Sequence, residues 1–488
     1  MSQETEPGTA RAVPVLPLVG ICLTLFLSAL DQTVVTTALP TMVSDLGGLD
    51  QISWVVTGYL IAATVATPLS GKLGDLAGRK PVLVASLLVF VAASAACGAA
   101  SNMTWLVVFR VVQGLGGGGL MASTQAGLSE LVSPRDRARY QGLLGAVFGL
   151  ASVTGPLVGG FLTDAVSWRS VFYINLPVGL AALLLAVRTP FAPAAAAGRR
   201  SADVAGAVMF ALFATATILA TLAATPAGRW GWGAAGAVLL VAFVLRERRA
   251  ADPLISPALF RARAFNAVAV AAFALGVPLL GGTVFLAVYL QVLRGSTPTS
   301  AGLQMLPLMA ALVAASALAG RWAARSGNLR PMPLAGTLIT AAALAALGQT
   351  GATTPVWLVD VLLAVLGAGI GMVLQLLIVI AQTAAPAGSL GVASGTVVFL
   401  RSMGGAFGVA LFGAIFTARL GGDTVTSLAA AAHRMGDPAL AASSHEAVAD
   451  AMTAVFTTGV PFALLAFAAV LAVPAITSRS RPVPEGRA

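Results

Sequence analysis

The chain has 488 residues, of which 58% are apolar and 9% charged, with a mean hydropathy of +0.92. Soluble globular chains carry about 25% charged residues, so a soluble fold is excluded and lipid must be the solvent for most of this surface. A net charge of +10 would suit a nucleic-acid binder or the basic loops of a membrane protein, and the placement of the basic residues decides between the two.

Residues 1–14 are polar and contain Pro7, Gly8 and Pro14. They lack the short apolar core and small-residue cleavage site of a removable signal, so the run after them reads as a retained span. A helix needs about 20 apolar residues to cross the hydrocarbon core. Runs of that kind predict fourteen spans, at 15–38, 52–71, 82–100, 104–128, 140–163, 170–188, 203–224, 231–246, 265–291, 299–321, 332–350, 354–381, 393–418 and 452–476. Cys22 and Cys97 fall inside spans and read as small packing residues. The loop 419–451 holds Asp423, His433, Asp437, His445, Glu446 and Asp450 at spacings that match no metal-ligand pattern. It reads as a solvated loop with a short helix, and no metal site is expected. Both histidines lie in that loop and no nucleophile–base set converges, so an enzyme is disfavoured. The absence of a Gly-x4-Gly-Lys-Ser/Thr loop argues against an ATP-driven motor.

With the amino terminus placed in the cytoplasm, 21 of the 28 Lys and Arg residues fall in inner segments. Arg169, Arg229, Arg294, Arg419 and Arg434 fall in outer ones, while Arg110 and Arg401 lie within spans. Positive charge stays on the cytoplasmic side, so both termini are expected there. The partner of the basic loops is then the lipid bilayer and not nucleic acid. Lys occurs only at 72 and 80, and Ala is abundant, which suggests a GC-rich bacterial genome and hence a bacterial cytoplasmic membrane.

The loop Gly71-Lys-Leu-Gly-Asp75-Leu-Ala-Gly78-Arg79-Lys80-Pro81 is echoed by Gly320-Arg-Trp-Ala-Ala324-Arg-Ser-Gly327-Asn-Leu-Arg330-Pro331. Each has a Gly, a second Gly seven residues on, then a basic residue and Pro. Such weak repetition is expected of a transporter built from two six-helix halves. The predicted organisation is a cytoplasmic tail 1–14, a six-helix bundle 15–188, an inserted two-helix segment 189–264, a second six-helix bundle 265–476 that includes the outer loop 419–451, and a tail 477–488. Ala324 stands at the position of Asp75, so an electrostatic latch built on this loop is one-sided.

These motifs resemble those of the major facilitator superfamily. Gly71 to Pro81 resembles its cytoplasmic signature, and Arg110-Val-Val-Gln113-Gly114 resembles its fourth-helix signature. Gly155-Pro156-Leu-Val-Gly159-Gly160 resembles the antiporter signature of the fifth helix. Trp168-Arg169 with Phe172, Asn175, Pro177 and Gly179 resembles the stretch after that signature in the 14-helix drug/proton antiporters. Leu30-Asp31 through Pro40 is similar to the first-helix signature of the same branch, with Thr36 where Asn is usual. The resemblance implies an all-α membrane protein of the major facilitator fold, with two six-helix bundles, two inserted helices and proton-driven export.

Asp31 is the lone charge in its span, and an acid at that depth costs about 3 kcal/mol on insertion scales. It reads either as a proton-carrying carboxyl or as a structural hydrogen bond to another helix. Arg110 enters at similar depth from the other direction, so the two are expected to influence one another, Arg110 favouring the ionised carboxylate and proton loading loosening the pair. Gln113, one turn from Arg110, is assigned with Thr33, Tyr59 and Asp360 to a substrate cavity. Asp360 is equally open to reading as a solvated acid. Gly71, Asp75, Gly78, Arg79, Lys80 and Glu130 are expected to form a conformational latch between the halves. Gly155-Pro156 predicts a bend, and Gly159 and Gly160 a close helix approach. Arg401 reads as support for packing and gating. Together these predict a monomeric antiporter that exports an amphipathic or cationic small molecule, with protons as coupling ion and no other cofactor. A transporter of one specific metabolite or antibiotic, or a membrane sensor without transport, are the rival readings.

Overall fold

The computed structural model describes residues 15–47, 52–134, 136–189, 191, 203–223, 225–250, 253–255, 257–288, 290, 303–351, 354–386, 389–420 and 438–474. The helices are α1 (Val15–Leu46), α2 (Ile52–Ala77), α3 (Arg79–Gly98), α4 (Met103–Leu131), α5 (Arg137–Ala165), α6 (Ser170–Tyr173), α7 (Asn175–Arg188), α8 (Val204–Leu222), α9 (Pro226–Glu247), α10 (Arg263–Val288), α11 (Leu306–Ser326), α12 (Pro331–Leu347), α13 (Val356–Ala384), α14 (Leu390–Leu420) and α15 (Pro438–Leu471). No strand occurs among the described residues. Twelve segments among the described residues are long and apolar enough to cross a bilayer, α6 and α7 together forming one of them. The shorter apolar stretches Ala205–Ala220 and Pro331–Leu347 bring the total to the fourteen that the sequence predicts. With no water in the hydrocarbon to satisfy backbone groups, helices are the economical solution for such runs.

Capping sets several of the boundaries. Asn102 accepts a hydrogen bond from the Trp105 amide at the start of α4, and Thr225 caps α9 ahead of Pro226 at its first turn. Three expectations need correction. α1 runs to Leu46, well past residue 38, which sets Asp31 near the middle of the helix and not two turns from its end. The final helix begins at Pro438, so the part of the expected loop after that residue is a continuous extension of α15. Residues 439–460 contain only one Gly and no Pro while Ala recurs throughout, which favours helix. The sixth span is divided by a turn at Ile174 into α6 and α7. The metal reading for His433 and the rest of loop 421–437 falls outside the described residues.

The face of the bundle on which α1 begins and the α2–α3 turn lies is called the basic face below. The inserted helix α8 packs against both α2 and α14. Its Phe210 ring sits 4.6 Å from Phe399 of α14 and 5.5 Å from Phe243 of α9.

The weak sequence repeat has a structural meaning. Gly78 (φ 93°) and Gly327 (φ 72°) both have the positive φ that glycine adopts freely where the chain reverses between helices, Gly327 as a left-handed cap and Gly78 in an extended form. Seven residues earlier, Gly71 packs on the Gly391 carbonyl of α14, where a Cβ would stand 2.5 Å from the oxygen. Gly320 packs on the Ala138 carbonyl and Gly142 of α5 in the same way. The two glycines therefore mark two seams between the halves, α2–α14 and α5–α11, both toward the basic face. Overpacking such a contact costs about 1–3 kcal/mol. Gly71→Ala and Gly320→Ala are each expected to open the basic face, so that a thiol reagent labels a reporter Ser394→Cys several-fold faster in a protein with Cys22 and Cys97 replaced by Ala. Unchanged labelling would show that the seams do not hold this face closed.

Candidate functional site

In the amino-terminal half, five helices each contribute to one buried polar cluster. Asp31 of α1 and Arg110 of α4 are 0% and 1% exposed, and Arg110 Nη1 donates to Asp31 Oδ2 at 2.6 Å. The other carboxylate oxygen accepts from Gln113 Nε2 at 2.9 Å and from Asn175 Nδ2 of α7 at 2.8 Å. Arg110 Nη1 also reaches Gln113 Oε1 at 2.7 Å, and Arg110 Nε donates to the Val55 carbonyl of α2 at 3.1 Å. Ser94 Oγ of α3 accepts from both amides, at 2.6 Å from Gln113 and 2.8 Å from Asn175. The guanidinium lies 4.2 Å from the centre of the Tyr59 ring, a cation–π contact in a desolvated setting.

An ion pair taken out of water is tolerated only when its geometry is good and its remaining hydrogen-bonding capacity is used. The geometry is good and both carboxylate oxygens are engaged, while the Tyr59 hydroxyl and Asn175 Oδ1 of the cluster are buried without a hydrogen-bond partner among the described residues. The carboxylate accepts three hydrogen bonds and is compensated by one guanidinium, so the cluster is neutral as a unit.

Gln113 and Tyr59, expected in a substrate cavity, belong instead to this packed interior, with exposures of 0% and 1%. Residues three apart share a helix face, so Gln113 follows Arg110 inward toward Asp31. Thr33 is half-buried, and its hydroxyl donates to the Leu30 carbonyl at 3.0 Å and the Ala151 carbonyl of α5 at 3.4 Å. Gly155 of α5 faces Thr33 so closely that a Cβ would collide with its hydroxyl. Gly159 is buried, whereas nothing stands within 4 Å of a Cβ at Gly160, so Gly160 makes no close helix approach. The Pro156 side chain lies outside the described ones. Asp360 is half-buried near the far end of α13, and its Oδ1 is shut off from solvent with no hydrogen-bond partner, so that atom is not solvated in this state. Cys97 is buried, whereas Cys22 is only half-buried and borders an apolar groove between α1 and α5.

A second cluster sits at the basic face. Arg79 pairs with Asp75, donates through Nε to Glu130 Oε1 at 2.9 Å, and donates to the Gly71 carbonyl at 3.1 Å. Asp75 also accepts from the main-chain amides of Gly391 at 3.2 Å and Val392 at 3.0 Å, at the start of α14 in the other half. A carboxylate at a helix N-terminus satisfies free amides and meets the positive end of the helix dipole. Lys80 is half-buried and takes no part in an ion pair among the described residues.

Sequence reasoning missed a neutral tie beside it. Gln382 of α13 accepts from Ser129 Oγ of α4 at 2.7 Å, and donates to Ser394 Oγ of α14 at 2.7 Å and to the Gln125 carbonyl of α4 at 3.3 Å. Ser316 of α11 donates to the Gly142 carbonyl of α5 at 3.3 Å. The bonds from Gln382 to α4 and from Ser316 to α5 join the halves and, with those of Asp75, lie toward the basic face. At the opposite face, Asp45 near the end of α1 accepts from Trp168 Nε1 at 2.9 Å and Arg169 Nη1 at 2.7 Å. The indole and guanidinium bonds hold its carboxyl below the usual carboxylate range. The pair therefore persists as pH falls until that lowered value is crossed.

The model of the Major Facilitator Superfamily matches residues 21–409. An MFS-type transporter of Mycobacterium tuberculosis is 39% identical over 90% of this chain, which spans 66% of that longer protein. The multidrug transporter protein MdtP of Bacillus subtilis is 34% identical over 83% of this chain and 76% of its own length. The tetracenomycin C resistance and export protein of Streptomyces glaucescens is 32% identical over 86% and 78%. Among solved structures, the human organic anion transporter MFSD10 superposes with a TM-score of 0.65 over 93% of this chain and 99% of its own, and the proton:xylose symporter XylE with 0.63 over 97% and 98%. Their identities of 16% and 14% speak to the fold alone.

Removing one member of a buried pair costs about 3–5 kcal/mol, because the other is left uncompensated. Arg110→Gln is therefore expected to lower the unfolding temperature in detergent more than the double variant Asp31→Asn/Arg110→Gln does. A double variant less stable than Arg110→Gln would show that the pair is not coupled.

Proposed function

The chain belongs to the major facilitator superfamily, and on that premise we propose that it is a proton-coupled antiporter that exports amphipathic small molecules by alternating access. The proposal places both termini in the cytoplasm of a bacterial cell membrane and takes the protein to act as a monomer, with protons as coupling ion and no other cofactor. The distribution of Arg and Lys supports the orientation. On it the basic face is cytoplasmic, and the sealed seams correspond to a state whose central space opens outward. Export of drug-like compounds is supported by the names of the related exporters.

The observation that carries proton coupling is the fully buried Asp31–Arg110 pair inside one half. A proton arriving on Asp31 would cancel the carboxylate charge and leave the Arg110 cation without its compensation. An uncompensated buried charge costs several kcal/mol. The amino-terminal half is then driven to rearrange, and the pair reforms when the proton leaves. Since Asp31 has no exposed surface in the present state, the rearrangement must also open its path to water. Each proton that enters down the membrane potential supplies about 2.3 kcal/mol per 100 mV.

In vesicles with an acidic exterior, the purified protein is expected to drive efflux of chemically unrelated dyes such as ethidium and rhodamine 6G. Asp31→Asn should abolish the dependence on the proton gradient while leaving dye binding within about twofold. Gradient-driven efflux that survives in Asp31→Asn sinks the coupling role. Efflux of a single compound class would instead favour a specific exporter, and ligand binding without any transport would favour a sensor.

A further inference from the structure

Two basic residues lie within spans away from their ends, and they are treated differently. Arg110 is neutralised by Asp31. Arg401 of α14 has no ion pair and no side-chain hydrogen bond among the described residues. It lies eleven residues into α14, or about 16 Å from the basic-face end at 1.5 Å per residue. That depth is beyond the headgroup region, and an unpaired guanidinium in hydrocarbon is costly wherever it cannot reach water or an anion.

The surroundings of α14 fix which way Arg401 faces. Residues two apart on a helix lie about 200° apart, and Phe399 packs on Phe210 and Phe213 of the inserted helix α8. Phe407, 40% exposed, marks the lipid-facing side. Gly404 and Gly408 abut the main chain of α10, and Gly391 and Gly395 abut α2. Arg401 shares its helix face with Gly404, Gly405 and Gly408, three, four and seven residues on, so it stands on the α10 side of α14, turned from both lipid and the inserted pair, and it keeps part of its surface exposed. No acid among the described residues lies near it. In the described spans of this half, Asp360 is more than twenty residues from the basic-face end of α13, which leaves the two charges on the order of 20 Å apart along the bundle axis. Asp450 is engaged with Arg419 near the far ends of α14 and α15.

We propose that Arg401 is the recognition point for an anionic group, a carboxylate or phenolate, carried by the amphipathic substrate and reaching the junction of α14 and α10 in the carboxy-terminal half. The amino-terminal half neutralises its own buried charges, so the surplus cation of the other half supplies the charge to which a substrate is complementary. A planar guanidinium offers a bidentate fork to such oxygens. The inference rests on the transport reading, but it assigns the protein a preference for acids where the sequence alone suggested cations.

The test compares 4-(1-pyrenyl)butyric acid with its methyl ester, two probes with one apolar body that differ in one charge. Binding is measured on the full-length protein in nanodiscs at neutral pH, a readout that does not need proton coupling. The wild type is expected to bind the acid about tenfold more tightly than the ester. Arg401→Gln should bring the two affinities together by weakening the acid alone, while Arg401→Lys keeps part of the preference. Unchanged ester binding in Arg401→Gln shows that the protein is intact. Equal binding of acid and ester by the wild type, no binding of the acid, or an acid preference that survives in Arg401→Gln overturns the proposal. The transport reading is judged separately by proton-driven efflux.

Discussion

Hydrocarbon allows a buried charge only with its compensation beside it, and that constraint organises the amino-terminal half. Asp31 and Arg110 occupy facing helices, the pair is hydrogen-bonded further by Gln113, Asn175 and the Val55 carbonyl, and Ser94 accepts from the two amides in turn. One helix alone could not supply these partners. α1, α2, α3, α4 and α7 must all arrive at the same point, and the rest of the half is packed around their meeting. Changing the charge state of one carboxyl therefore changes the environment of five helices together.

Between the halves the physics differs. There the contacts are glycine against main chain, as at Gly71 and Gly320, and a few short hydrogen bonds through Asp75, Gln382 and Ser316. They are directional enough to define a closed state and small enough in energy to be broken together. Packed cores of this kind are bistable and not continuously deformable, which suits a machine with two conformations.

Much of this was legible in the sequence because charge in an apolar run is conspicuous. Asp31, Arg110, Asp75, Arg79 and Glu130 stand out in one dimension, and opposite signs at matching depths suggest where they meet. The glycine spacing of 71–78 and 320–327 could be read as a repeat, although only coordinates show that it marks the seams. Neutral polar residues were less readable. Gln113 was placed one turn from Arg110 correctly but assigned to a cavity, since a sequence does not say whether a polar helix face looks into its own bundle or across to the other. Gln382, Ser129 and Ser394 carry no signal at all in one dimension, because a Gln or Ser in an apolar helix is unremarkable until its partner is known. The length of α1 and α15 beyond their apolar cores was missed for a related reason: hydropathy marks where lipid begins and ends, whereas backbone hydrogen bonding continues as long as nothing breaks the helix.

The arrangement also supplies a physical link between the buried pair and the seam. α2 offers the Val55 carbonyl and the Tyr59 ring to Arg110 near one end, and Asp75 to α14 near the other. α4 carries Arg110 near one end and Glu130, the partner of Arg79, near the other. In both helices the two sites are twenty residues apart, about 30 Å at 1.5 Å per residue. Two struts of equal reach thus join one charge cluster to the other, and they end on the two groups that flank Arg79. The echo of this loop in the other half has Ala324 in place of Asp75, so the α5–α11 seam has no carboxylate at that position. Of the two seams, α2–α14 is the one that carries charge and shares its helices α2 and α4 with the buried pair, whereas α5–α11 closes through glycine and a neutral hydrogen bond.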